Sequence, residues 1–337
     1  MYEVSMHKKI LNKCIVTGGA GFIGSHLVEL LLKKNYEVVI IDNFSTGRPA
    51  NINHLKNIKL IKADISKKGN WQKFFKNTKF VFHLAALADV VPSILDPISY
   101  YNSNVTGTLN VMEACKKYKI KKILYSASSS CYGIPKKYPT NENEKIDTRY
   151  PYAFTKYMGE QLLIHWGKIY RIAYISLRLF NVFGTRSRTS GTYGAAMGVF
   201  LAQKLKKKPF TIIGDGEQKR DFIYVTDVVD AFFKAAVSRK KNIIYNIGSG
   251  KPISVNKLVN NIDSLNKKVF ISKRPGEPDI THSNSMKIKR DLNWKPKISF
   301  ENGVKILLKN ISYWDSAPIW TPSSIKKVTK NWFKFIK

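Results

Sequence analysis

Short apolar runs alternate with stretches of helical spacing through the first half of the chain. The apolar runs predict strands at residues 14–17, 37–41, 58–61, 80–83, 122–126 and 172–179. The helical spacing predicts long helices at residues 22–33, 98–118 and 150–170. Because strands and helices alternate, we expect an α/β fold: a Rossmann-type, doubly wound parallel sheet with helices on both faces.

The pattern changes after Asn181, where Gly, Thr, Ser and Arg dominate residues 184–194 and turn sequences interrupt the later apolar runs. We predict a Rossmann domain over residues 1–181 and a smaller, discontinuous C-terminal α/β lobe over residues 182–314. Part of residues 222–250, including a helix at 225–237, is expected to return to the first domain.

Residues 315–337 form a basic amphipathic tail. Its apolar side chains fall near one helical face and are Ile325, Val328, Trp332, Phe335 and Ile336. Either Ser323 or Ser324 is suited to cap the start of this helix. A basic amphipathic helix can lie on a membrane surface. We favour packing on the protein itself or on a partner subunit, because such stripes more often pack in this way.

The composition is that of a globular protein. Its 337 residues are 44% hydrophobic, and no run of 18 apolar residues predicts a transmembrane helix. The polar residues 1–12 lack the apolar core of a signal peptide. We therefore expect a cytoplasmic location and no transmembrane contact.

The formal net charge of +34 taken alone suggests a nucleic-acid partner. The lysines are scattered along the chain, however, and a nucleic-acid footprint should be clustered. We therefore expect no specific nucleic acid. A nucleotide- or RNA-binding scaffold stays open as the non-enzymatic alternative.

The cysteines and histidines predict neither a disulfide framework nor a metal site. The cysteines at positions 14, 115 and 131 are odd in number and form no Cys-x-x-Cys pair, so we expect them to be reduced and mostly buried. His54, His83 and His165 are widely separated, and we interpret them as structural residues rather than metal ligands.

A glycine-rich segment between the first predicted strand and the first helix is the candidate cofactor site. The glycines of its Gly-x-x-Gly-x-x-Gly pattern are Gly18, Gly21 and Gly24, and an overlapping Gly-x-Gly-x-x-Gly starts at Gly19. Glycines allow a tight turn and let the backbone approach a pyrophosphate. The helix that begins near Phe22 and Ile23 offers free N–H groups and a positive dipole end to the phosphates.

Asp42 follows the second predicted strand, about 20 residues beyond the glycines, where dinucleotide-binding folds have an acidic residue. A carboxylate there accepts hydrogen bonds from the adenosine ribose and repels the extra phosphate of NADP. The predicted cofactor is therefore NAD, and residues 1–181 are the predicted NAD-binding domain. Asp64 and Ile65 follow the third strand and are candidates for contact with the adenine edge.

Tyr152 and Lys156 lie four residues apart, hence on one face of the helix predicted at residues 150–170. A tyrosine that acts as a base near neutral pH needs its pKa, normally about 10, lowered by about three units. A nearby ammonium group and the positive nicotinamide ring of NAD both favour the phenolate. Ser128 follows the fifth strand, at the sheet edge where ligands bind, and its hydroxyl is suited to bridge the substrate and the tyrosine.

These motifs together resemble the extended short-chain dehydrogenase/reductase family, in its NAD-dependent epimerase/dehydratase branch. Further marks of the resemblance are the segments 42–47, 83–86, 128–133, 178–184, 214–216, 220–222, 246–248 and 274–277. The resemblance implies an enzyme that keeps and recycles NAD. Tyr152, assisted by Ser128, takes the proton of the sugar 4-hydroxyl while the C4 hydride moves to the nicotinamide, and a 4-epimerase returns the hydride to the opposite face.

The resemblance also implies binding residues. Several NAD-binding candidates have already been named: the glycine-rich turn, Asp42, Asp64, Ile65, Tyr152 and Lys156. The resemblance adds Asn43, Ser45, Gly47, Leu84, Ala85, Ala86 and Asn104. Asn104 is expected to order the site. Those implied for the nucleotide-sugar are Ser128, Ser129, Asn181, Arg220 and Arg274. The two arginines suit a diphosphate, because their planar forks match phosphate oxygens.

One departure from the family pattern narrows the reaction. The 4,6-dehydratases of this branch carry Thr-Asp-Glu where this chain has Ser128-Ser129-Ser130. Elimination of water needs an acid and a base that serines supply poorly. Segment 128–133 is instead similar to the 4-epimerases of UDP-glucose and UDP-N-acetylglucosamine, and we predict that activity. A UDP-glucuronate 4-epimerase or decarboxylase, or another dehydratase or reductase of the family, stays open.

The resemblance also bears on sugar choice and assembly. The loop 184–194, with Arg186 and Arg188, is expected to help choose the sugar, each arginine either holding a carboxylate or lying in solvent. The family often dimerises through two long helices, which here are the helices predicted at residues 98–118 and 150–170. We therefore expect a homodimer.

Overall fold

The computed structural model describes residues 12–187 and 196–336. In chain order its strands are β1 (Lys13–Thr17), β2 (Glu37–Asp42), β3 (Ile58–Lys62), β4 (Phe80–His83), β5 (Lys122–Ser128), β6 (Ala173–Leu179), β7 (Asn181–Phe183), β8 (Phe210–Ile213), β9 (Lys219–Tyr224), β10 (Ile243–Ile247), β11 (Pro252–Ser254) and β12 (Lys268–Ile271). Its helices are α1 (Phe22–Lys33), α2 (Val90–Leu95), α3 (Pro97–Tyr101), α4 (Gly107–Lys117), α5 (Pro151–Tyr170), α6 (Ala196–Leu205), α7 (Val225–Val237), α8 (Val255–Asp263), α9 (Met286–Leu292), α10 (Phe300–Lys309) and α11 (Pro322–Phe335).

Strands β1–β6 and β10 form one parallel sheet in the order β10-β6-β5-β4-β1-β2-β3. The order reverses between β1 and β4. Ligands bind outside the carboxyl ends of the strands at such a reversal. The predicted Rossmann-type sheet is therefore confirmed, and its binding edge lies beyond β1, β4 and β5.

Alternation along the strands places one hydrophobic core on each face of this sheet. Val16 of β1 packs in a core with Leu27 of α1 and Val228 of α7. Its neighbour Ile15 packs on the opposite face with Val111 of α4. The helix predicted at 225–237 thus belongs to the large sheet, as does β10, so part of segment 222–250 returns to it.

The helix predicted at residues 98–118 contains a change of helical type. α3 passes into a π-helical turn, Asn102–Thr106, before α4 begins at Gly107. A π turn of five residues is too short to leave a periodic signal of its own, so the apolar pattern does not reveal it. The turn carries Asn104, which is 1% exposed.

The later segments form a smaller lobe around a second group of short strands. β7, β9 and β11 make a three-stranded sheet, and β8 pairs with β12. Aromatic side chains from β7, β8, β9 and α10 fill its core, including Phe183, Phe210, Phe222 and Phe300. This lobe follows the predicted change of pattern after Asn181.

The tail forms helix α11, and its cap differs from the prediction. Thr321, rather than Ser323 or Ser324, is the N-cap residue. The Thr321 hydroxyl accepts a hydrogen bond from the Ser324 N–H at 3.2 Å, while the Ser324 hydroxyl accepts one from the Thr321 N–H at 2.9 Å. This reciprocal capping box assigns Ser324 to the third helical position.

Helix α11 packs on the protein itself, as favoured from its pattern. Ile325 and Trp332 are buried in a small apolar cluster that includes Val91 of α2. Phe335 was placed on the same face, but it is 59% exposed at the end of the helix. Ile336, which follows it, still packs against the cluster, so Phe335 is the one predicted apolar residue that leaves the packed face.

The cysteines are in the reduced, buried state that was predicted for them. Cys14, Cys115 and Cys131 are buried free thiols, and burial raises the pKa of Cys131 to about 12. Within residues 12–187 and 196–336, no group of His, Cys, Asp and Glu side chains is arranged to hold a metal ion. The helices of these ranges are too short or too polar to span a bilayer.

Candidate active site

The turn between β1 and α1 depends on the absence of side chains. Gly18 has a φ of +73°, and a Cβ atom there would lie 2.7 Å from the backbone nitrogen of Ala85. A Cβ on Gly24 would overlap the carbonyl oxygen of Gly18. Glycine is therefore required where the start of α1 meets the turn.

The N-terminus of α1 is open to an anion. The helix begins at Phe22 after the extended residue Gly21, with no side-chain cap and no acidic residue in its first turn. The first N–H groups of a helix have no intrahelical partner and carry the positive end of the dipole. The side chains of Phe22 and Ile23 pack toward the core of the lobe, so their backbone remains the polar element here. This turn fits the pyrophosphate of a dinucleotide.

Asp42 joins the end of β2 to the glycine turn. Its buried carboxylate accepts hydrogen bonds from the backbone N–H groups of Ala20 at 2.9 Å and Phe44 at 2.8 Å. Burial raises the pKa of Asp42, and the two hydrogen bonds oppose that rise. Because each carboxylate oxygen has two acceptor positions, both still have capacity for ribose hydroxyls.

The loop after Asp42 folds back on it. The exposed side chain of Asn43 accepts a hydrogen bond from the Ser45 N–H at 3.0 Å. Gly47 lies so close to Asp42 that a Cβ atom would be 2.9 Å from its carboxylate oxygen. Residues 42–47 therefore form one wall beside the glycine turn, as the resemblance implied.

The two residues expected at the adenine edge differ in position. Asp64 is partly exposed, and one of its oxygens accepts hydrogen bonds from the N–H and hydroxyl of Ser66. Ile65 is buried in the core between the sheet and α4, and its carbonyl accepts a hydrogen bond from Asn110. The Ile65 side chain thus serves the core, which leaves only the backbone N–H of this residue for a ligand.

The loop after β4 covers the glycine turn. The Leu84 N–H donates to the Thr17 carbonyl at 3.1 Å, and the Ala85 N–H donates to the Thr17 hydroxyl at 3.3 Å. Ala86 follows and is partly exposed. The segment 84–86 thus lies beside Gly18, where the resemblance implied cofactor contacts.

His83 has an ordering role that the sequence reasoning did not identify. Its two ring nitrogens lie 2.7 Å from the hydroxyl oxygen of Thr17 and 2.9 Å from that of Thr108. Burial, together with the charge of Lys156, lowers the pKa of His83 to about 3, so the ring is neutral. The histidine links the glycine turn to α4. The sequence signal that could have indicated this role is the position of His83 at the end of a strand, in the segment His-Leu-Ala-Ala.

Asn104 orders the site through its side-chain amide. The amide nitrogen donates to the Leu87 carbonyl and to the Thr155 hydroxyl, both at 3.0 Å, and its oxygen accepts from the Leu87 N–H at 2.8 Å. Both amide hydrogens are used within the protein. Asn104 therefore connects the loop after β4 to helix α5, and the ordering role expected for it fits better than direct cofactor contact.

The predicted hydroxyl pair is brought together where β5 meets α5. The Ser128 oxygen accepts a hydrogen bond from the Ser130 N–H at 3.1 Å, and the Ser128 hydroxyl acts to lower the pKa of the neighbouring Tyr152. The ring of Tyr100 packs edge-on against Tyr152, with centroids 6.5 Å apart. The structure thus fixes both groups at the binding edge of the sheet.

Lys156 lies one turn beyond Tyr152 in α5 and is 5% exposed. Its ammonium nitrogen is 4.5 Å from the centroid of the Tyr125 ring. Burial lowers the pKa of Lys156 to about 7, while Glu160 opposes that change. The lysine is therefore a buried amine that titrates near neutral pH.

The effect expected of Lys156 on Tyr152 is not provided by the protein alone. Burial raises the pKa of Tyr152 to about 12, although the hydrogen bond from Ser128 opposes the rise. Desolvation disfavours both a phenolate and an ammonium, so burial shifts the two pKa values in opposite directions. The lowering predicted for the pKa of Tyr152 depends on bound NAD as well as on Lys156, and it stays a prediction for the NAD-bound protein.

A buried ionic group lies behind the catalytic helix. Arg178 of β6 donates to Glu160 of α5 at 2.5 Å and to the Tyr132 hydroxyl at 2.9 Å. Tyr132 in turn donates to the Asn246 side chain of β10 at 2.7 Å. These contacts hold α5 against the sheet, and they explain why Arg178 and Asn246 lie in the family motifs.

The two predicted diphosphate arginines converge on one carboxylate. Arg274 pairs with Glu277 at 2.8 Å, and Arg220 lies 3.7 Å from the other oxygen of Glu277. Asn181 accepts a hydrogen bond from the Thr281 hydroxyl at 3.0 Å. Ser129 opens the short 3₁₀ turn directly after Ser128. The structure thus brings Arg220 and Arg274 together, as expected of a shared anion site.

Arg186 takes neither of the two positions expected for it. Its guanidinium donates to Glu29 of α1 at 2.6 Å, and His54 lies 2.6 Å from the same carboxylate oxygen. Arg186 therefore holds a carboxylate of the protein rather than one of a sugar. Arg188, the other arginine of this loop, lies outside the described residues.

Comparison with known proteins identifies relatives across most of the chain. A putative UDP-glucose 4-epimerase of Methanocaldococcus jannaschii is 39% identical over 86% of this chain and 95% of the relative. The UDP-N-acetylglucosamine 4-epimerase of Methanobrevibacter ruminantium, solved with UDP-N-acetylmuramic acid, is 34% identical with a TM-score of 0.84, covering 90% of this chain and 98% of that chain.

A third similar protein was solved with a cofactor. The UDP-glucuronic acid 4-epimerase of Bacillus cereus, in complex with UDP-glucuronic acid and NAD, is 32% identical with a TM-score of 0.83, covering 89% of this chain and 99% of that chain. The profile of the NAD dependent epimerase/dehydratase family matches residues 14–248, which include the glycine turn, Ser128, Tyr152 and Lys156. The chain therefore belongs to the NAD-dependent epimerase/dehydratase family.

Proposed function

We propose that the protein is a UDP-hexose 4-epimerase that interconverts UDP-glucose and UDP-galactose, or their N-acetyl forms. The observation that carries this proposal is the placement of Tyr152 beside Ser128 at the carboxyl end of β5, one helical turn before Lys156. Such a pair is suited to take a proton from a sugar hydroxyl and to return it. The relatives named as UDP-sugar 4-epimerases support the same reaction.

The glycine turn and Asp42 are the residues that would hold NAD. Gly18, Gly21 and Gly24 let the backbone approach a pyrophosphate, and Asp42 offers carboxylate oxygens to the adenosine ribose. The negative charge of Asp42 disfavours the extra phosphate of NADP. When bound, oxidised NAD supplies a hydride acceptor and a positively charged ring.

In the proposed reaction Tyr152 exchanges one proton with the sugar 4-hydroxyl. The Ser128 hydroxyl donates to the Tyr152 oxygen and therefore stabilises the phenolate form. Lys156, one turn away, is suited to bind the nicotinamide ribose and to add positive charge near Tyr152. The proton taken in the oxidation half is returned in the reduction half, so Tyr152 ends as it began.

The nucleotide part of the substrate is proposed to bind at Arg220 and Arg274. Both side chains are mostly buried, and burial lowers the pKa of Arg220 while Glu277 opposes that change, so the guanidinium stays charged. Glu277 holds the two guanidinium groups together. A diphosphate offers these forks more acceptor oxygens than one carboxylate does. Asn181 and Ser129 are proposed as further substrate contacts.

We do not assign Arg186 to a sugar carboxylate, because its guanidinium is engaged with Glu29. Our preference for UDP-glucose, UDP-galactose and their N-acetyl forms over UDP-glucuronate rests on segment 128–133, which is similar to the 4-epimerases of UDP-glucose and UDP-N-acetylglucosamine.

We also propose which part of the chain binds each ligand and how two copies of the chain associate. Residues 1–181 with part of 222–250 would bind NAD, residues 182–314 the nucleotide-sugar, and two copies would pair through α3–α5. Ile98 is 72% exposed, and Tyr101 and Phe154 are 45% and 49% exposed, on the helices that the family uses for pairing. A cytoplasmic location stays a prediction.

The test is a panel of UDP-, GDP-, CDP- and dTDP-sugars offered to the purified protein, with products identified by NMR. We expect interconversion of UDP-glucose and UDP-galactose, or of their N-acetyl forms, with no net consumption of added NAD. Conversion of UDP-glucuronate alone, or of no UDP-hexose, would reject the proposal. Sedimentation of the wild type beside Ile98→Glu tests the pairing, and a monomeric wild type would reject it.

A further inference from the structure

Helix α11 brings a buried tryptophan to the proposed substrate site. Trp332 is 1% exposed, and its indole N–H donates to the Pro275 carbonyl at 2.9 Å. The guanidinium carbon of Arg274 lies 5.7 Å from the centroid of the Trp332 ring. The ring of Tyr150 lies 5.5 Å away, centroid to centroid. One side chain from the tail thus contacts three residues around the site.

These contacts join parts of the site that are distant in sequence. Tyr150 is the N-cap residue of α5, two residues before Tyr152. Arg274 is followed by Glu277, the carboxylate that pairs with Arg220 as well. Trp332 therefore lies between the start of the catalytic helix and the two arginines proposed for the diphosphate.

The first turns of α11 add contacts of their own to the docking of the helix. Ile325 and Val328 pack with Val91 and Ile94 of α2 and with Val199 of α6, in the cluster to which Trp332 also belongs. Ile325 lies two helical turns before Trp332, at a distance of about 10 Å along the axis. Ile325 therefore docks the helix at a distance from Arg274, whereas Trp332 both docks the helix and contacts Arg274.

Tryptophan is chemically suited to fix an arginine. A guanidinium group is planar and weakly hydrated, and it lies favourably near the face of an indole within about 6 Å. An arginine held in place before binding loses less side-chain freedom when a ligand arrives. The hydrogen bond to Pro275 fixes the backbone next to Arg274 as well.

We propose that Trp332 is a positioning residue for the nucleotide diphosphate of the substrate. It holds Arg274, and through Glu277 also Arg220, in the arrangement that binds the two phosphates. The inference rests on the proposed function. The family profile ends at residue 248 and includes neither α11 nor Arg274.

The experiment compares Trp332→Ala with the wild type in two measurements on the full-length protein with its bound NAD. Calorimetry gives the Kd of UDP, and steady-state kinetics give KM and kcat for the UDP-hexose that the wild type epimerises. We expect Kd and KM to rise roughly tenfold while kcat stays within about twofold, because Trp332 acts on binding and not on proton transfer.

Two matched variants separate this role from simple loosening of the helix. Trp332→Phe keeps a ring near Arg274 and should recover most of the lost affinity. Ile325→Ala removes buried apolar surface from the same helix but leaves the contacts of Trp332, so Kd for UDP should stay close to the wild-type value. If Trp332→Ala does not fold, Trp332→Leu takes its place: it keeps buried apolar volume but removes the ring beside Arg274, so it should weaken UDP binding while Ile325→Ala does not.

The outcomes are distinct. Unchanged affinity for UDP in both Trp332 variants would overturn the positioning role while leaving the epimerase proposal intact. An equal loss of affinity in Ile325→Ala, or a loss confined to kcat, would also overturn it, because the effect would then come from helix docking or from Tyr150. A wild type that binds no UDP and epimerises no sugar would overturn both proposals.

Discussion

Arg178 donates to Glu160 at 2.5 Å, and both side chains are almost completely buried, at 4% and 1% exposure. Glu160 also accepts a hydrogen bond from the Ser176 hydroxyl. Removing one member of a buried ion pair leaves the other charge without compensation, which costs about 3–5 kcal/mol. We expect Glu160→Gln to lower the free energy of unfolding by about 3 kcal/mol, as measured by urea denaturation.

A double variant provides the control for this pair. Arg178→Met combined with Glu160→Leu removes both charges, and well-packed apolar replacements of buried pairs are often nearly neutral. The double variant should therefore be more stable than Glu160→Gln alone. If it is the less stable of the two, the charge explanation is wrong and the remaining contacts of Arg178 dominate.

Tyr152→Phe tests the proposed proton exchange. The variant removes the hydroxyl that accepts from Ser128 and keeps the ring that packs against Tyr100. We expect kcat to fall at least about a thousandfold, since general acid–base groups contribute roughly a hundredfold to ten-thousandfold. Bound NAD, released by denaturation and measured by absorbance, should remain at the wild-type level.

Ser128→Ala should lower kcat by a smaller factor, about tenfold to a hundredfold, because it removes only the hydrogen bond to the phenolate. Tyr157→Phe, at the position directly after Lys156 in the same helix, is the matched control and should be fully active. Substantial turnover by Tyr152→Phe would show that another group carries the proton.

The buried amine of Lys156 predicts how stability depends on pH in the protein stripped of NAD. Its pKa is about 7 in the folded state and 10.5 as the unperturbed value. Between these two pH values the Lys156 side chain binds more protons in the unfolded chain than in the folded protein. The contribution of Lys156 to the free energy of unfolding therefore increases with pH. Below about pH 7 the full penalty of burying the charge applies.

Lys156→Met removes this penalty. We expect the variant to be more stable than the wild type by on the order of 1–2 kcal/mol at pH 7, with the difference shrinking toward pH 10.5. Denaturation series at several pH values measure it. Lys168→Met, an exposed position in the same helix, should show no such trend. A difference that grows with pH would contradict the assigned sign.

Gly24→Ala tests whether the glycine turn holds the cofactor. An added Cβ would overlap the carbonyl oxygen of Gly18, so the start of α1 must shift away from the turn. The purified variant should contain less than about a tenth of the wild-type NAD. Gly69→Ala, where an added Cβ meets only the Trp71 side chain at 3.4 Å, serves as the control. Full NAD content in Gly24→Ala would place the cofactor elsewhere.

The sheet and its main helices were predictable because strand alternation and apolar burial leave a direct periodic signal. Helix α1 was predicted to the residue, and β4 as well. The π turn around Asn104 was not, since a turn of five residues is too short to leave a periodic signal of its own. The capping residue of α11 was missed for a similar reason: Thr321, Ser323 and Ser324 are chemically alike, and only backbone geometry selects among them.

The site was predictable where function constrains residue type and spacing, as for Tyr152, Lys156 and the glycines. The site was not predictable where its geometry depends on contacts between residues that are distant in sequence. Nothing in the sequence relates Arg186 to Glu29, which are brought together only by the fold. The sign of the Tyr152 pKa shift also required the structure, because burial opposes the effect of nearby charge.

The ion pair of Arg186 with Glu29 gives a prediction about stability, and the same variant then tests whether Arg186 contacts the sugar. Burial acts to raise the pKa of Glu29, but the hydrogen bonds from Arg186 and His54 together lower it by a larger amount. The pKa of Glu29 is therefore below its usual value. This contribution to stability is present above pH 4.5 and is lost as pH falls through the lowered pKa. Arg186→Gln should therefore lower the free energy of unfolding near neutral pH, and by less in acid. The loss should be only about 1 kcal/mol, because the pair is partly exposed.

The same variant separates a structural role from a sugar-binding role. If Arg186 serves only to hold the loop to α1, Arg186→Gln should keep kcat/KM for the UDP-hexose within about threefold of the wild type. Glu29→Gln, which breaks the pair from the other side, should show the same small loss of stability. A loss of kcat/KM beyond about tenfold in Arg186→Gln but not in Glu29→Gln would mean that Arg186 leaves Glu29 during turnover to contact the substrate.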